Sequence, residues 1–366
     1  MLILVINCGS SSAKYQLFNI KRNRSIAKGV IERIGQKGSN CKNHYEAISI
    51  IKDRLLSGRK GLPGSVDEIK GIGHRVVHGG DKFAKSVIIN KKVIDLIEKF
   101  SELAPLHNPP SLEGIKACGK FFPGVRQVAV FDTAFHQSMQ PHAYLYGIPF
   151  GFYKKYKIRK YGFHGTSHRY VAREAAKRLK KPAQKLKLIT VHLGNGCSMT
   201  AVMRGKSIET SMGFTPLEGL LMGTRSGDLD PAIVTFLMEK EDLDIDEIND
   251  LLNKKSGLLG VTGISNDMRD ILFEMKKKNK RAILAFNMFV YRIKKYIGAY
   301  AAVMGGLDAV ILTGGIGENV TEIKKILSRE LKSTFRNKVK FLTIPTNEEL
   351  LIASDTEALL KNRKDA

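Results

Sequence analysis

The sequence predicts an α/β protein of two similar halves, and three observations lead to it. Short β-branched runs alternate with helical stretches along the chain, the pattern of sheets covered by helices. A strand, polar turn, strand unit opens the chain over residues 2–20 and returns over residues 186–203. Recurrence of a whole supersecondary unit points to two halves facing each other. The length of 366 residues fits about two domains. A composition of 43% hydrophobic and 26% charged residues is globular, which excludes a disordered chain, a collagen and a disulfide scaffold.

Taken in order, residues 2–7 form an apolar strand that stops at the polar turn Cys8-Gly9-Ser10-Ser11-Ser12, and a second strand covers 13–20. Residues 93–103 have helical spacing. Leu106-His107-Asn108-Pro109-Pro110 reads as a rigid loop, because each proline fixes φ and lacks an N–H. Residues 128–131 are a strand ending at Asp132, and 168–179 a helix rich in basic residues. The second hairpin turns at Leu193-Gly194-Asn195-Gly196-Cys197-Ser198. Helices follow at 231–239, 245–253 and 281–303, the last apolar on one face. Residues 308–313 are a β-branched strand closed by the turn Gly314-Gly315-Ile316-Gly317-Glu318-Asn319.

Four cysteines, Cys8, Cys41, Cys118 and Cys197, form no C-x-x-C pair and no zinc spacing. Scattered thiols fit a reducing compartment, and a soluble cytoplasmic protein is expected. The apolar start is too short for a signal peptide and has no basic flank. Residues 297–316 approach membrane-spanning length but contain Asp308 and two glycine pairs, so they read as helix, loop, strand and loop. Lys and Arg number 60 against 35 Asp and Glu, a net charge of +25. Such a balance fits either an anionic partner (nucleic acid, a membrane surface or phosphorylated small molecules) or a proteome-wide lysine bias. The densest basic run, 154–187, lacks the interleaved aromatics and motifs of a nucleic-acid site and reads as a solvated helix face and loop.

Three turns, at residues 7–12, 194–198 and 314–319, each follow an apolar strand. Glycine lets backbone N–H groups approach an oxyanion, and Ser or Asn adds donors, so these turns are candidate phosphate cradles. Lys14 follows the first, within reach of a phosphate. None is a Walker A loop: Gly205-Lys206-Ser207 has Thr200 where the first glycine belongs. No turn carries G-x-G-x-x-G. Ser11-Ser12-Ala13-Lys14 matches S-x-x-K, but no K-T-G follows and the motif lies between strands.

Four polar segments are hard to explain as surface. Gly73-His74-Arg75-Val76-Val77-His78-Gly79-Gly80 embeds an arginine in an apolar run, and Phe131-Asp132-Thr133-Ala134-Phe135-His136 ends a strand on a carboxylate. Tyr161-Gly162-Phe163-His164-Gly165-Thr166-Ser167-His168 sets histidine among glycines, and Gly223-Thr224-Arg225-Ser226-Gly227-Asp228 does the same with arginine. Two arginines, a histidine and an aspartate in turns and at strand ends make a site where negative charge is handled.

With the hairpin Asn7–Lys14, the segments 103–110, 192–198 and 210–230, and further matches at 265–271, 291–302, 313–319 and 344–352, the chain resembles the acetate kinase family nearly end to end. Short-chain relatives such as propionate kinases share these motifs. The resemblance implies the duplicated actin/hexokinase/Hsp70-like (ribonuclease H-like) fold, two α/β domains with a cleft between them. The N-terminal lobe is expected at 1–135 plus 350–366, and the nucleotide-binding lobe at 136–349. It implies reversible, direct in-line transfer of the ATP γ-phosphoryl to acetate, giving acetyl phosphate and ADP. It also implies Mg²⁺ (with Mn²⁺ as a substitute) and a homodimer. The alternative functions are a propionate or other short-chain acyl kinase and, from the charge, a basic nucleic-acid-binding protein; neither a nucleic-acid nor a membrane partner is expected.

Carried over motif by motif, Asn7 and Glu348 would bind the metal. Ser10, Ser12 and Lys14 would face ATP phosphates. Arg75 would hold the substrate carboxylate, and Val77, Leu106, Phe163 and Pro216 would line an apolar pocket for its methyl group. Asp132, His164 and Arg225 would be catalytic. His192, Leu193, Gly194, Asn195 and Gly196, then Asp267, Met268 and Arg269, then Gly314, Gly315, Ile316, Gly317 and Glu318 would surround the nucleotide.

The chemistry suits these residue types. A carboxylate is ionised at pH 7, so no general base is required; the obstacle is two anions approaching each other. Catalysis then reduces to positioning and cation supply. Arginine forks a carboxylate, hard oxygen ligands suit Mg²⁺, and Asp132 is expected to orient an arginine or the metal. The chain is shorter than typical members of the family, with trimmed segments expected at 34–69 and 327–340.

Overall fold

The computed structural model describes residues 1–105, 107–336 and 338–361. The chain divides into two compact units, Met1–Gln137 with Asn347–Ala366, and Ser138–Thr346.

The first unit is built on a six-stranded sheet in the order β3-β2-β1-β4-β6-β5: β1 is Leu2–Gly9, β2 Ser12–Asn19, β3 Arg24–Glu32, β4 Ile69–Val76, β5 Val87–Ile88 and β6 Gln127–Phe131. Strands β1, β2 and β3 pair antiparallel, whereas β1, β4 and β6 are parallel to one another. Gly9 stands opposite Ser12, which leaves Ser10 and Ser11 as the turn. Residues 3–6 are all buried, as a strand covered on both faces requires. One face packs Leu4, Ile6, Leu17 and Ile72 against helices His44–Leu55 and Asn108–Phe121. The other packs Ile3, Val5, Val128 and Val130 against Ile352 and Ala353 of helix Glu348–Lys361. That helix lies so near β4 that a Cβ on Gly73 would stand 2.5 Å from Thr356 Oγ1 and 2.6 Å from Ile352 Cγ2, and one on Gly71 would collide with Leu360. Two glycines on alternate residues present one bare face of the strand, and this admits the helix.

The second unit has a five-stranded sheet in the order β11-β10-β7-β8-β9: β7 is Lys187–Leu193, β8 Cys197–Met203, β9 Lys206–Thr210, β10 Ala309–Thr313 and β11 Lys340–Thr343. Read outward from β7, it repeats the first sheet: an antiparallel β7-β8-β9 meander on one side and parallel β10 and β11 on the other. Every residue of β10 is buried, and helices Gly165–Leu179 and Lys280–Met304 cover the strands.

Several expectations need correcting. Asn108, Pro109 and Pro110 are not loop but the first turn of helix Asn108–Phe121, where a missing N–H has no intrahelical partner to lose. Leu106 lies outside the described residues. Residues 314–319 are a short helix, Gly314–Asn319, rather than a turn. Helix Gly165–Leu179 begins three residues before His168. The basic run 154–187 is not uniformly solvated: Arg159 is buried, its guanidinium 3.6 Å from the ring centre of Tyr144. Among the described residues no helix is long and apolar enough to cross a membrane, and the stretch 297–316 divides into the end of one helix, strand β10 and the start of another.

Candidate active site

Parallel strands bring their carboxyl ends to one edge of the sheet, the place where α/β proteins bind ligands. In the first unit this applies to β1, β4 and β6. Asn7 lies near the end of β1, Arg75 near the end of β4, and Asp132 one residue beyond β6. The Asp132 N–H donates to Val76 O at 3.0 Å, which fixes that strand end. Arg75 forks the Asp132 carboxylate, Nε donating at 3.1 and 3.2 Å and Nη2 at 2.5 Å. Asp132 is 1% exposed, so a buried carboxylate meets the fork of a half-buried arginine. Burial works against the Arg75 charge, but Asp132 and then Glu348 outweigh it and push its pKa up. Glu348, the first residue of its helix, places Oε2 3.7 Å from Arg75 Nε.

The hairpin tip carries Ser10 and Ser12, and Lys14 sits on β2 directly opposite Asn7, exposed. The sequence reading missed what fixes this tip. His44, buried, has Nε2 2.8 Å from Gly9 O and Nδ1 2.9 Å from Glu113 Oε2. A carbonyl only accepts, so Nε2 carries a proton directed at Gly9. No local pattern could have disclosed a contact between residues 35 and 69 positions apart. Val77 is half-buried in the same unit.

In the second unit His164 caps helix Gly165–Leu179 with a left-handed backbone, φ 55°. A non-glycine residue there is uncommon and costs energy. Its Nδ1 is 2.9 Å from Ser198 Oγ on β8, and its ring stacks on His192 of β7 at 4.4 Å between centres. His192 Nδ1 in turn lies 2.8 Å from Ser167 Oγ, whose hydroxyl donates to Thr346 Oγ1 at 2.9 Å. The turn Gly194-Asn195-Gly196 joins β7 to β8. A Cβ on Gly196 would stand 3.4 Å from both Arg225 Nη1 and His164 Cε1, so the bare turn, the arginine and the histidine converge.

Arg225 Nη1 donates to Pro216 O at 3.1 Å and contacts Met222 Sδ at 3.7 Å. Neither partner is an anion, and burial lowers the arginine's pKa. Pro216, expected in the methyl pocket, therefore also holds Arg225 through its carbonyl. Phe163 is buried. Asn195 is braced by Gly223 N–H, donating to its carbonyl at 3.0 Å, and by Asn266 Nδ2, donating to its Oδ1 at 3.0 Å.

The remaining nucleotide positions are uneven. Leu193 and Met268 are buried, so they have main chain rather than side chain to offer. Asp267 caps helix Met268–Lys276 and is forked by Arg269, whose hydrogen bonds pull its pKa down to about 2. The Glu318 carboxylate is taken up at home: it accepts from Gly314 N at 2.9 Å, Thr346 N at 3.1 Å and Thr313 Oγ1 at 3.3 Å. Gly314 and Gly317 are buried, Ile316 is half-buried, and Gly315 is exposed with open space around it.

Among the described residues no group of three His, Cys, Asp or Glu could hold a metal ion. The oxygen donors expected for Mg²⁺, Asn7 and Glu348, lie in the first unit with Arg75. Two hard oxygen donors fit Mg²⁺, which keeps several waters and takes phosphate oxygens as its other ligands.

The acetokinase family profile matches residues 2–335. Over 97% of this chain and 98% of its own length, an acetate kinase of Desulfitobacterium hafniense (strain DSM 10664 / DCB-2) is 55% identical to it. An acetate kinase of Thermoanaerobacter pseudethanolicus is 51% identical over the whole of both chains. Among solved structures, Porphyromonas gingivalis acetate kinase superposes with a TM-score of 0.94 at 44% identity, covering 98% of this chain and 100% of that one. A propionate kinase from Francisella tularensis subsp. tularensis SCHU S4 gives 0.91 at 42% identity, covering 98% and 99%.

Proposed function

The chain belongs to the acetokinase family and is an ATP:acetate phosphotransferase, and from that premise we propose how its residues carry out the transfer. Acetate arrives ionised and needs no general base. Arg75 receives its carboxylate. Asp132 occupies the Nε and Nη2 edge of the guanidinium, which leaves the Nη1 and Nη2 edge for a second carboxylate, and Asp132 acts as the orienting group. The hairpin donors of Ser10 and Ser12, with Lys14, hold phosphate oxygens, and the Gly194–Gly196 turn offers backbone N–H groups to the nucleotide. Arg225 and His164 meet the equatorial oxygens of the γ-phosphoryl during in-line, reversible transfer to the acetate oxygen. Asn7 and Glu348 would hold Mg²⁺, which neutralises phosphate charge when bound. Val77, Phe163 and Pro216 are the apolar groups assigned to the methyl group.

The forked Arg75–Asp132 pair, its carboxylate buried and its guanidinium half-buried, at the shared carboxyl edge of β1, β4 and β6 carries this reading: it is a fixed cation with one face already aligned. The test supplies Mg-ATP and a panel of C1–C4 acids and traps the acyl phosphate with hydroxylamine. Acetate is expected to give the highest kcat/KM, and the absence of any hydroxamate from acetate ends the proposal. Acetate is preferred to propionate because the relatives at 50–55% identity are acetate kinases.

A homodimer is part of the proposal. Leu284 and Tyr291 are exposed on one side of helix Lys280–Met304 and, with Met288, line a cavity of about 560 Å³; Phe273 on the preceding helix is exposed as well. A second copy of the chain is the occupant proposed for this face. The four cysteines are all unpaired and buried, which supports a reducing compartment such as the cytoplasm.

A further inference from the structure

We infer that a buried hydrogen-bond chain, Ser198–His168–Thr190, fixes the tautomer of His164 with Nδ1 as the protonated nitrogen, so that His164 donates to a phosphoryl oxygen from Nε2 only as imidazolium. The inference deepens the reading above and rests on it for the role of His164. Ser198, His168 and Thr190 are positioning residues.

His164 and His168 are four residues apart, and the His168 N–H donates to His164 O at 2.9 Å in the first helical turn. Both rings therefore lie on one side of the helix, and both reach Ser198 on β8. Four contacts run in series. His164 Nδ1 is 2.9 Å from Ser198 Oγ, and Ser198 Oγ is 2.7 Å from His168 Nε2. His168 Nδ1 is 2.7 Å from Thr190 Oγ1, and Thr190 Oγ1 is 3.4 Å from Thr200 O. Ser198, His168 and Thr190 are each 0% exposed, so bulk water does not compete for their contacts.

The direction of the chain follows from its end. Thr200 O is a carbonyl and only accepts, so the Thr190 hydroxyl donates to it. A hydroxyl has one proton, so Thr190 Oγ1 accepts from His168 Nδ1–H. With His168 neutral, its Nε2 then has a lone pair and accepts from the Ser198 hydroxyl. The Ser198 proton being used, its oxygen accepts from His164 Nδ1–H. The opposite direction leaves the Thr200 contact unmade, and with His168 neutral only this direction satisfies all four contacts.

The consequence is at Nε2. Neutral His164 presents a lone pair there, which repels a phosphoryl oxygen; protonation turns it into a donor. His192 of β7 stacks on the ring, His168 on the same helix shares Ser198 Oγ with it, and Arg225 approaches the same point above Gly196. The contribution of His164 to kcat is therefore present while the imidazolium is protonated and is lost as pH rises through its pKa.

The primary test is nitrogen-15 NMR of histidine-labelled wild-type enzyme across pH, with the His164 signals assigned by their loss in His164→Gln. Neutral His164 is expected with a pyrrole-type Nδ1 and a pyridine-type Nε2. A neutral ring protonated at Nε2 overturns the inference. The second test is the pH profile of kcat in Ser198→Ala and in Thr190→Val, which keeps the side-chain shape. In both, the ring is freed to place its neutral proton on Nε2. The expected result is a kcat about tenfold lower at the optimum with a flattened alkaline limb, while KM for acetate stays within about twofold. An alkaline limb as steep as wild type in Thr190→Val overturns the inference. Should His164→Ala leave kcat unchanged, the catalytic reading of His164 fails, and the NMR result still decides the tautomer.

Discussion

Arg225 has a carbonyl and a thioether for polar partners, so its positive charge stays available to an incoming anion, whereas Arg75 is already balanced by Asp132. The two arginines therefore respond differently to removal. Arg225→Ala is expected to lower kcat by ~10³ or more with little change in stability, by analogy with other arginines that stabilise phosphoryl transfer. Steady-state kinetics beside a thermal melt checks it; a loss below tenfold in a folded variant removes Arg225 from that role. The cysteines give a second prediction. Burial pushes Cys8 and Cys197 up to about 12, with Glu113 adding to the effect at Cys8. A thiol is reactive only as thiolate. Folded enzyme at pH 8 should therefore resist iodoacetamide at all four cysteines and take up label in urea, as mass spectrometry would read. Labelling of Cys197 in folded enzyme would contradict the burial argument.

Among the elements, the strand–turn–strand units and the β-branched strands were legible because they depend on local patterns: apolar runs interrupted by Gly, Ser and Asn. Errors arose where a local signal has two outcomes. Asn108-Pro109-Pro110 reads as loop from proline alone, yet a helix tolerates proline in its first turn. Gly314–Asn319 reads as a turn from its glycines, yet Glu318 reaches back to Gly314 N and closes a helical turn. The glycines of β4 are another case. Gly71 and Gly73 were visible as glycines, but their purpose is helix Glu348–Lys361, nearly 300 positions further along the chain. Gly73→Val would drive a branched side chain into Ile352 and Thr356. Overpacking of that kind costs about 1–3 kcal/mol, expected as a lower urea midpoint with an unchanged slope. A midpoint equal to wild type would mean that the helix yields freely.

At the scale of the whole molecule, the five strands of the second sheet follow the order of five of the six strands in the first, the repeat that the paired hairpins announced. The exposed face of helix Lys280–Met304 carries Leu284 and Tyr291. Tyr291→Glu places a charge in the middle of the proposed contact between copies, so sedimentation should show a dimer for the wild type and a monomer for the variant. A wild type that sediments as a monomer at micromolar concentration sinks the dimer. The net charge of +25 agrees with anionic substrates, and nothing in the site requires so much of it.

The sequence by itself determined the α/β class, the doubled hairpin and the residue types of an anion-handling site, because strand periodicity and turn chemistry are written within a few neighbouring positions. Only the tertiary structure decided which of those residues meet. The fork of Arg75 on Asp132, the clamp of His44 and Glu113 on Gly9, and the bond of His164 to Ser198 each join positions at least 34 residues apart. Parallel strand ends and a helix start bring such groups together, and hydrogen-bond partners are chosen by that distance and direction in space, which no short stretch of chain encodes.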